Sequence, residues 1–227
     1  MTRRNVFLAL AVLGTALLAG LGVWQVERRA WKLALIERVE RRLAAAPAPA
    51  PPRAAWRGID DDSAYLRVRA TGRWRAAAPV FVQAVTELGG GYWVIAPLDT
   101  SGGTILVNRG FVPLGDRAAI RAPIGETSIT GLLRVTEPGG AFLRNNDPAA
   151  DRWYSRDTAA IARARRLGEV APYFIDADAS GATGWPRGGL TVVRFRNTHL
   201  IYALTWFTLA AMMGYLAYRI ARAPRDA

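Results

Sequence analysis

VFLALAVLGTALLAGLGVWQV, residues 6–26, contains no charged side chain, and a helix of that length, rising about 1.5 Å per residue, crosses a hydrocarbon core about 30 Å thick. LIYALTWFTLAAMMGYLAY, residues 200–218, meets the same criterion. Within lipid every backbone amide must find its partner inside the segment, so each stretch is expected to be a helix. The first run is longer than the apolar region of a signal peptide. The small residues at 44–46 also lie too far downstream to be its cleavage site, so it reads as an uncleaved anchor. The pair Arg3-Arg4 resembles a twin-arginine signal, yet such pairs also flank ordinary cytoplasmic helix ends.

Two spans put both chain ends on one side of the membrane. Arg3, Arg4, Arg219, Arg222 and Arg225 assign that side to the cytoplasm by the positive-inside rule, although Arg28, Arg29, Lys32, Arg194 and Arg196 on the loop side reduce the contrast. The expected organisation is a transmembrane helix at 5–27, an amphipathic helical extension with a proline-rich linker at 28–55, and a β-rich extracytoplasmic domain at 56–198. A second transmembrane helix at 199–219 and a cytoplasmic tail at 220–227 follow. The extension rests on Trp31, Leu35, Ile36 and Val39 at helical spacing, and the linker on Pro47, Pro49, Pro51 and Pro52, whose polyproline conformation makes a stiff spacer.

From Tyr65 the apolar period changes to two, with Leu66, Val68 and Ala70 alternating with Tyr65, Arg67 and Arg69, the mark of a strand with one buried face. Further strands are expected at 80–85, 92–98, 104–108, 128–135, 173–176 and 190–195, separated by turn-rich stretches at 89–91, 99–103 and 138–140. One helix is expected at 158–167, with Asp157 as its N-cap and Gly168 as its stop. The fold class is therefore an α+β membrane protein, in which two terminal transmembrane helices flank a mainly antiparallel sheet or partial barrel carrying one helix.

Composition removes several function classes. The net charge is +12 and the pI is near 11, but the arginines are scattered and two membrane spans make nucleic acid an unsuitable partner. Anionic lipid headgroups of the bilayer, or an acidic protein, suit the charge better. There is no cysteine, which excludes disulfides, thiolate metal sites and a cysteine nucleophile. His199 is the sole histidine and no Gly-x-Ser-x-Gly turn accompanies it, so a serine triad is unsupported. Neither Lys32 nor the glycines at 89–91 form a phosphate loop, and Asp60, Asp61 and Asp62 lack the ligand spacing of a calcium loop. With methionines only at 1, 212 and 213, an ordinary copper site is also out of reach.

A single imidazole does suffice for haem iron, with aromatic packing for the macrocycle and arginine for its propionates. The end of the first span and the start of the second emerge on one membrane face, which brings Trp24, Gln25 and Arg28 to the depth of Arg196, Asn197, His199 and Tyr202. His199, Tyr202, Ala203 and Trp206 recur at spacings of three and four, and Ala203 leaves a gap for a flat ligand. The same residues also serve as interfacial anchors in many membrane proteins. Ala16-x-x-x-Gly20 and Ala210-x-x-x-Gly214 are small-residue patterns that let helices pack.

The stretch from Leu21 through Gly22, Trp24, Gln25 and Arg28, then Gly91-Tyr92-Trp93-Val94, Asn108-Arg109-Gly110-Phe111-Val112-Pro113 and Arg152-Trp153-Tyr154-Ser155-Arg156-Asp157, resembles the surfeit locus protein one family, known in yeast as the Shy protein. Pro172-Tyr173-Phe174-Ile175-Asp176, Gly188-Gly189-Leu190-Thr191 and Arg196-Asn197-Thr198-His199-Leu200-Ile201-Tyr202 continue the resemblance in order. The resemblance implies a non-enzymatic assembly factor for haem-copper cytochrome c oxidase with its central domain in the periplasm or intermembrane space, and the lack of a serine-rich, acidic-poor transit segment before the first span gives the expectation of a bacterial inner membrane and a periplasmic domain. The resemblance further implies binding of haem a and delivery to oxidase subunit I, with haem a synthase as a second partner. His199 would then be the iron ligand, Trp24, Tyr202 and Trp206 would pack the ring, and Arg28 or Arg196 would meet the propionates. The alternative is a cofactor-free scaffold that holds subunit I or the synthase. Tyr154 stands where several members of the family carry histidine, so a second imidazole at that position is lacking.

Overall fold

The computed structural model describes residues 3–141, 143–180, 183–191 and 197–223. They fall into two compact units, Met1–Glu40 with Arg194–Ala227, and Arg41–Val193.

Arg41–Val193 is a closed barrel with a layer added on one side. Its strands are β1 (Ala48–Pro49), β2 (Arg67–Trp74), β3 (Val80–Thr86), β4 (Gly89–Thr100), β5 (Gly103–Pro113), β6 (Glu126–Val135), the short ribbon β7 (Gly140–Ala141) and β8 (Arg144–Asn145), and β9 (Val170–Ala177). The main sheet runs β1-β2-β6-β9-β5-β4-β3, and β2 also pairs with β4. That extra pairing closes β2, β6, β9, β5 and β4 into a circuit, a Greek-key barrel of the OB-fold kind. All contacts in the circuit are antiparallel except β5 with β9. The closure depends on Gly72, where a Cβ would meet the Asp99 carbonyl oxygen at 2.1 Å, the usual reason for glycine inside a strand.

Strand alternation sorts the apolar residues into two cores. Val68 and Ala70 of β2, Leu98 of β4, Ile105 and Val107 of β5, Leu133 of β6, and Ala171, Tyr173 and Ile175 of β9 fill the barrel. Their neighbours point outward: Leu106, Phe174 and Ile95 pack with Val80 and Val82 of β3, Trp153, and Ile161 of helix α2 (Thr158–Ala164). Asp157 caps α2 by accepting from the Ala160 amide at 2.9 Å, as its sequence foretold. The β4–β5 hairpin matches its expectation, but glycines 89–91 open β4 instead of separating strands. The strand expected at 190–195 lies almost wholly outside the described residues.

The proline-rich stretch is not a free spacer. Ala48 and Pro49 pair in parallel with Val68 and Arg69, and the Pro51 carbonyl accepts from Trp56 Nε1 at 3.2 Å and from Tyr173 Oη at 2.8 Å. These bonds fasten the segment to the barrel core. Burial pushes the Tyr173 phenol well above its ordinary range, with the Trp56 bond opposing that weakly.

The other unit is built on α1 (Arg3–Ala44) and α3 (His199–Arg222). Helix α1 passes without a break through residue 27, where the membrane span was expected to end, and takes in the amphipathic extension. Both helices are long and apolar enough to cross a membrane. Most of their apolar side chains, including Phe7, Leu13, Leu17, Ile201, Leu204 and Met212, are exposed, which distinguishes them from core helices of a globular domain.

Candidate functional site at the paired helices

Leu8, Ala11, Thr15, Leu18, Gly22, Gln25 and Arg29 of α1 are buried or half-buried at alternating spacings of three and four. On α3 the matching series is His199, Ala203, Trp206, Ala210, Met213, Ala217 and Ile220. Such a pattern is the seam of two helices wound about each other. Contacts run antiparallel along it. A Cβ on Gly14 would lie 3.4 Å from Met213, Gly214 faces Thr15, and Gly22 lies so close to Phe207 that a Cβ would come within 2.6 Å of its ring. In lipid, where apolar burial drives nothing, small residues at such a seam gain stability through close van der Waals approach. Ala210 and Gly214 serve this seam. Gly20, by contrast, has nothing within 4 Å of a would-be Cβ, so the Ala16-x-x-x-Gly20 pattern is not used for this pairing.

At one end of the seam His199 Nδ1 lies 2.7 Å from Gln25 Oε1. A carbonyl oxygen only accepts, so Nδ1 is the donor of this bond and Nε2 takes no part in it. This is the arrangement that orients a ligating imidazole, one ring nitrogen being held by a neighbouring oxygen while the other is left to bind. Two residues before His199, the Asn197 side-chain oxygen is buried without a hydrogen-bond partner among the described residues. A buried acceptor left unpaired in this way is costly.

The remaining predicted residues divide. Trp206 joins His199 on the seam. Trp24 and Tyr202 do not, being 54% and 53% exposed on the outer surfaces of their helices. Tyr202 therefore does not share the face of His199, because a step of four followed by one of three carries the seam through Ala203. Nor is Ala203 a gap. It is 2% exposed. The Arg28 guanidinium stacks 4.0 Å over the Trp31 ring on the same helix. Arg196 lies outside the described residues.

Sequence reasoning passed over a second polar constellation, on the outer face of the barrel. Asp176 on β9, 3% exposed, accepts from Asn108 Nδ2 at 2.8 Å, Thr191 Oγ1 at 2.9 Å, Arg156 at 3.2 Å and Arg134 at 3.3 Å. Glu137 completes the group by pairing with Arg156 at 2.6 Å. Burial works to raise the Glu137 carboxyl, but hydrogen bonding and charge from Arg156, with Arg134 behind it, hold it below the ordinary carboxylate range. Two guanidinium groups and two carboxylates thus neutralise one another. Asn108, Arg156 and Asp176 all belong to motifs quoted above without a role, and an aspartate directly after Tyr173-Phe174-Ile175 in a strand was the available signal. Nearby, Gly110 has a φ of 128° and packs so tightly on Arg187 that a Cβ would sit 2.1 Å from its backbone.

The family model that describes the SURF1 family matches residues 12–211. The chain belongs to the SURF1 family. It is 36% identical over 225 residues to the Surfeit locus protein 1 of Rattus norvegicus, covering 88% of this chain and 71% of the relative. The Homo sapiens protein of that name is 36% identical over 222 residues, with 88% and 72% covered. The protein from Takifugu rubripes is 33% identical over 224 residues, with 87% and 89% covered. The SURF1 match takes in the whole barrel, α1 from residue 12 and α3 as far as residue 211, so the separate motifs belong to one continuous likeness.

Proposed function

We propose that this SURF1-family chain is a membrane-anchored, non-enzymatic assembly factor for cytochrome c oxidase, which holds haem a as cargo at His199 and passes it to oxidase subunit I. The exposed apolar surfaces of α1 and α3 support membrane insertion, with the barrel outside the cytoplasm and both chain ends inside. The observation that carries the haem reading is the Gln25–His199 bond, which leaves Nε2 free to ligate. The residues fit such a cargo: the imidazole is held by Gln25 through Nδ1, Trp24 and Tyr202 offer exposed aromatic surface nearby in sequence, and Asn197 supplies an acceptor unpaired among the described residues. Arg28 and Arg196 are the candidate propionate partners. Bound haem supplies no reaction here. The work of the chain is to bind it, keep its iron liganded and release it.

The tight seam favours a second reading. With Ala203 buried and Gly22 against Phe207, the Gln25–His199 bond could act purely as a polar clasp between helices in a scaffold that grips subunit I or haem a synthase. The two readings separate in one experiment. The full chain is produced in cells that make haem a, and in cells that do not, then purified in mild detergent. A Soret band that appears only in the first preparation and shifts or vanishes in His199→Ala supports cargo binding. A colourless protein that still co-purifies with subunit I supports the scaffold.

A further inference from the structure

One end of the barrel is open, and its mouth breaks the alternation that fills the rest. Trp74 of β2, Ile129 of β6 and Ala177 of β9 all pack against the barrel core and line a cavity of about 410 Å³ at that mouth. On β5 the inward series Ile105, Val107 ends not on an apolar residue but on Arg109. Period-two alternation carries Arg109 onto the same face as Val107, and beside it the β4–β5 pairing is irregular: Trp93 and Ile95 face Phe111 and Asn108, so that β5 holds an extra residue at Arg109-Gly110. Bulges of this kind sit at barrel rims and re-aim side chains.

The mouth is under-committed electrostatically. Among the described residues Arg109 is in no ion pair, and its one hydrogen bond is to the Arg121 carbonyl at 3.2 Å. Its guanidinium lies 6.0 Å from the Trp74 ring centre. Asp178 also lines the cavity but is neutralised by Arg67 at 2.6 Å. Trp185 forms another wall, fixed edge-on to Phe111 at 6.1 Å and covered by the Arg187 guanidinium at 4.4 Å. Burial without a carboxylate partner also pulls the Arg109 guanidinium below its ordinary range. Elsewhere on the barrel the buried or half-buried arginines Arg75, Arg134 and Arg156 all have carboxylates.

We infer that the barrel mouth is a binding site for a small aromatic carboxylate, with Arg109 taking the carboxylate and the indoles of Trp74 and Trp185 taking the flat body. A planar guanidinium matches the two oxygens of a carboxylate, mouths of barrels are habitual ligand sites, and the cavity is of small-molecule size. One uncommitted positive charge suits a monoanion. The site is independent of the His199 reading, since all of its residues lie in the barrel unit.

The test uses the full chain in detergent with its tryptophans labelled by ¹⁵N, the Trp74 and Trp185 indole signals being assigned from Trp74→Phe and Trp185→Phe. Phenylacetate is expected to shift both signals saturably, and phenylacetamide, of the same shape without the charge, to bind about tenfold more weakly, a factor worth about 1.4 kcal/mol. Arg109→Gln should bring acid and amide to equal affinity, Arg109→Lys should fall between, and Arg73→Gln should behave as the parent chain. The indole signals outside the mouth report whether each variant is folded, and the comparison of acid with amide stands without any variant. Equal titration by acid and amide, shifts confined to other indoles, or displacement by inorganic phosphate as effective as by phenylacetate would each overturn the assignment.

Discussion

The barrel and the helix pair bury polar groups by opposite rules. In the barrel every charged member of the Asp176 group has an opposite charge or a donor against it, so the group locks strands β5, β6 and β9 to the segment before α2. The helix pair has an apolar exterior and, at one end, the polar clasp Gln25–His199 beside the Asn197 oxygen, which has no partner among the described residues. Satisfied polar groups hold a fold together, whereas incompletely satisfied ones are available to a ligand. The contrast therefore separates residues that stabilise this protein from residues that can act, although both sets occur in motifs of the same likeness.

The most severe way to break the contrast is Asp176→Ala. Removing the shared acceptor leaves Arg134 and Arg156 partly buried and short of partners, which costs about 3–5 kcal/mol, read as a large fall in the thermal unfolding midpoint by tryptophan fluorescence. His199→Ala should leave that midpoint nearly unchanged, and an equal fall in both variants would erase the distinction.

Overpacking the seam comes next. Gly22→Leu forces a side chain into Phe207 and should weaken helix pairing by about 1–3 kcal/mol. The chain has no cysteine, so Thr15→Cys with Gly214→Cys gives a clean reporter. A Cβ on Gly214 would lie 3.5 Å from Thr15 Cγ2, close to disulfide geometry. Oxidation should cross-link this pair readily, and adding Gly22→Leu should lower the yield.

The response to pH is smaller and belongs to the barrel. Glu137 and Asp99 are held below their ordinary values; at Asp99 burial opposes, and hydrogen bonds from Arg75 and Thr104 prevail. A lowered carboxylate contributes stability that is present above its unfolded pKa of about 4 and is lost as the pH falls through the folded value. The raised Tyr173 phenol acts at the other extreme, its contribution being present below an unfolded pKa of about 10 and lost as the pH rises through the folded one. Unfolding midpoints measured from pH 2 to 12 should accordingly fall at both ends, and Glu137→Gln should flatten the acid limb.

The smallest effect is expected where polar groups are paired but wet. Arg73 and Glu126 meet at 2.9 Å with most of both side chains in solvent, so Arg73→Gln should cost less than about 1 kcal/mol. A loss approaching that of Asp176→Ala would mean that burial is not what separates the two pairs.

The sequence by itself determined the two apolar helices, most of the strands, the α2 cap and the likeness to the family. Each of these rests on a local period, a run of like residues or a motif, and local patterns survive in one dimension. It marked His199 and Gln25 as neighbours because two helix ends must meet at one boundary. It did not reveal that Tyr202 leaves the seam, since residues three and four apart lie on nearly the same face and only the packed partner decides between them. Nor did it reveal the closure of β2 on β4, the pairing of Asn108 with Asp176, or the turning of Arg109 into the barrel mouth. Those depend on strands far apart in sequence coming side by side in a particular register, and register is fixed by the packing of the whole barrel.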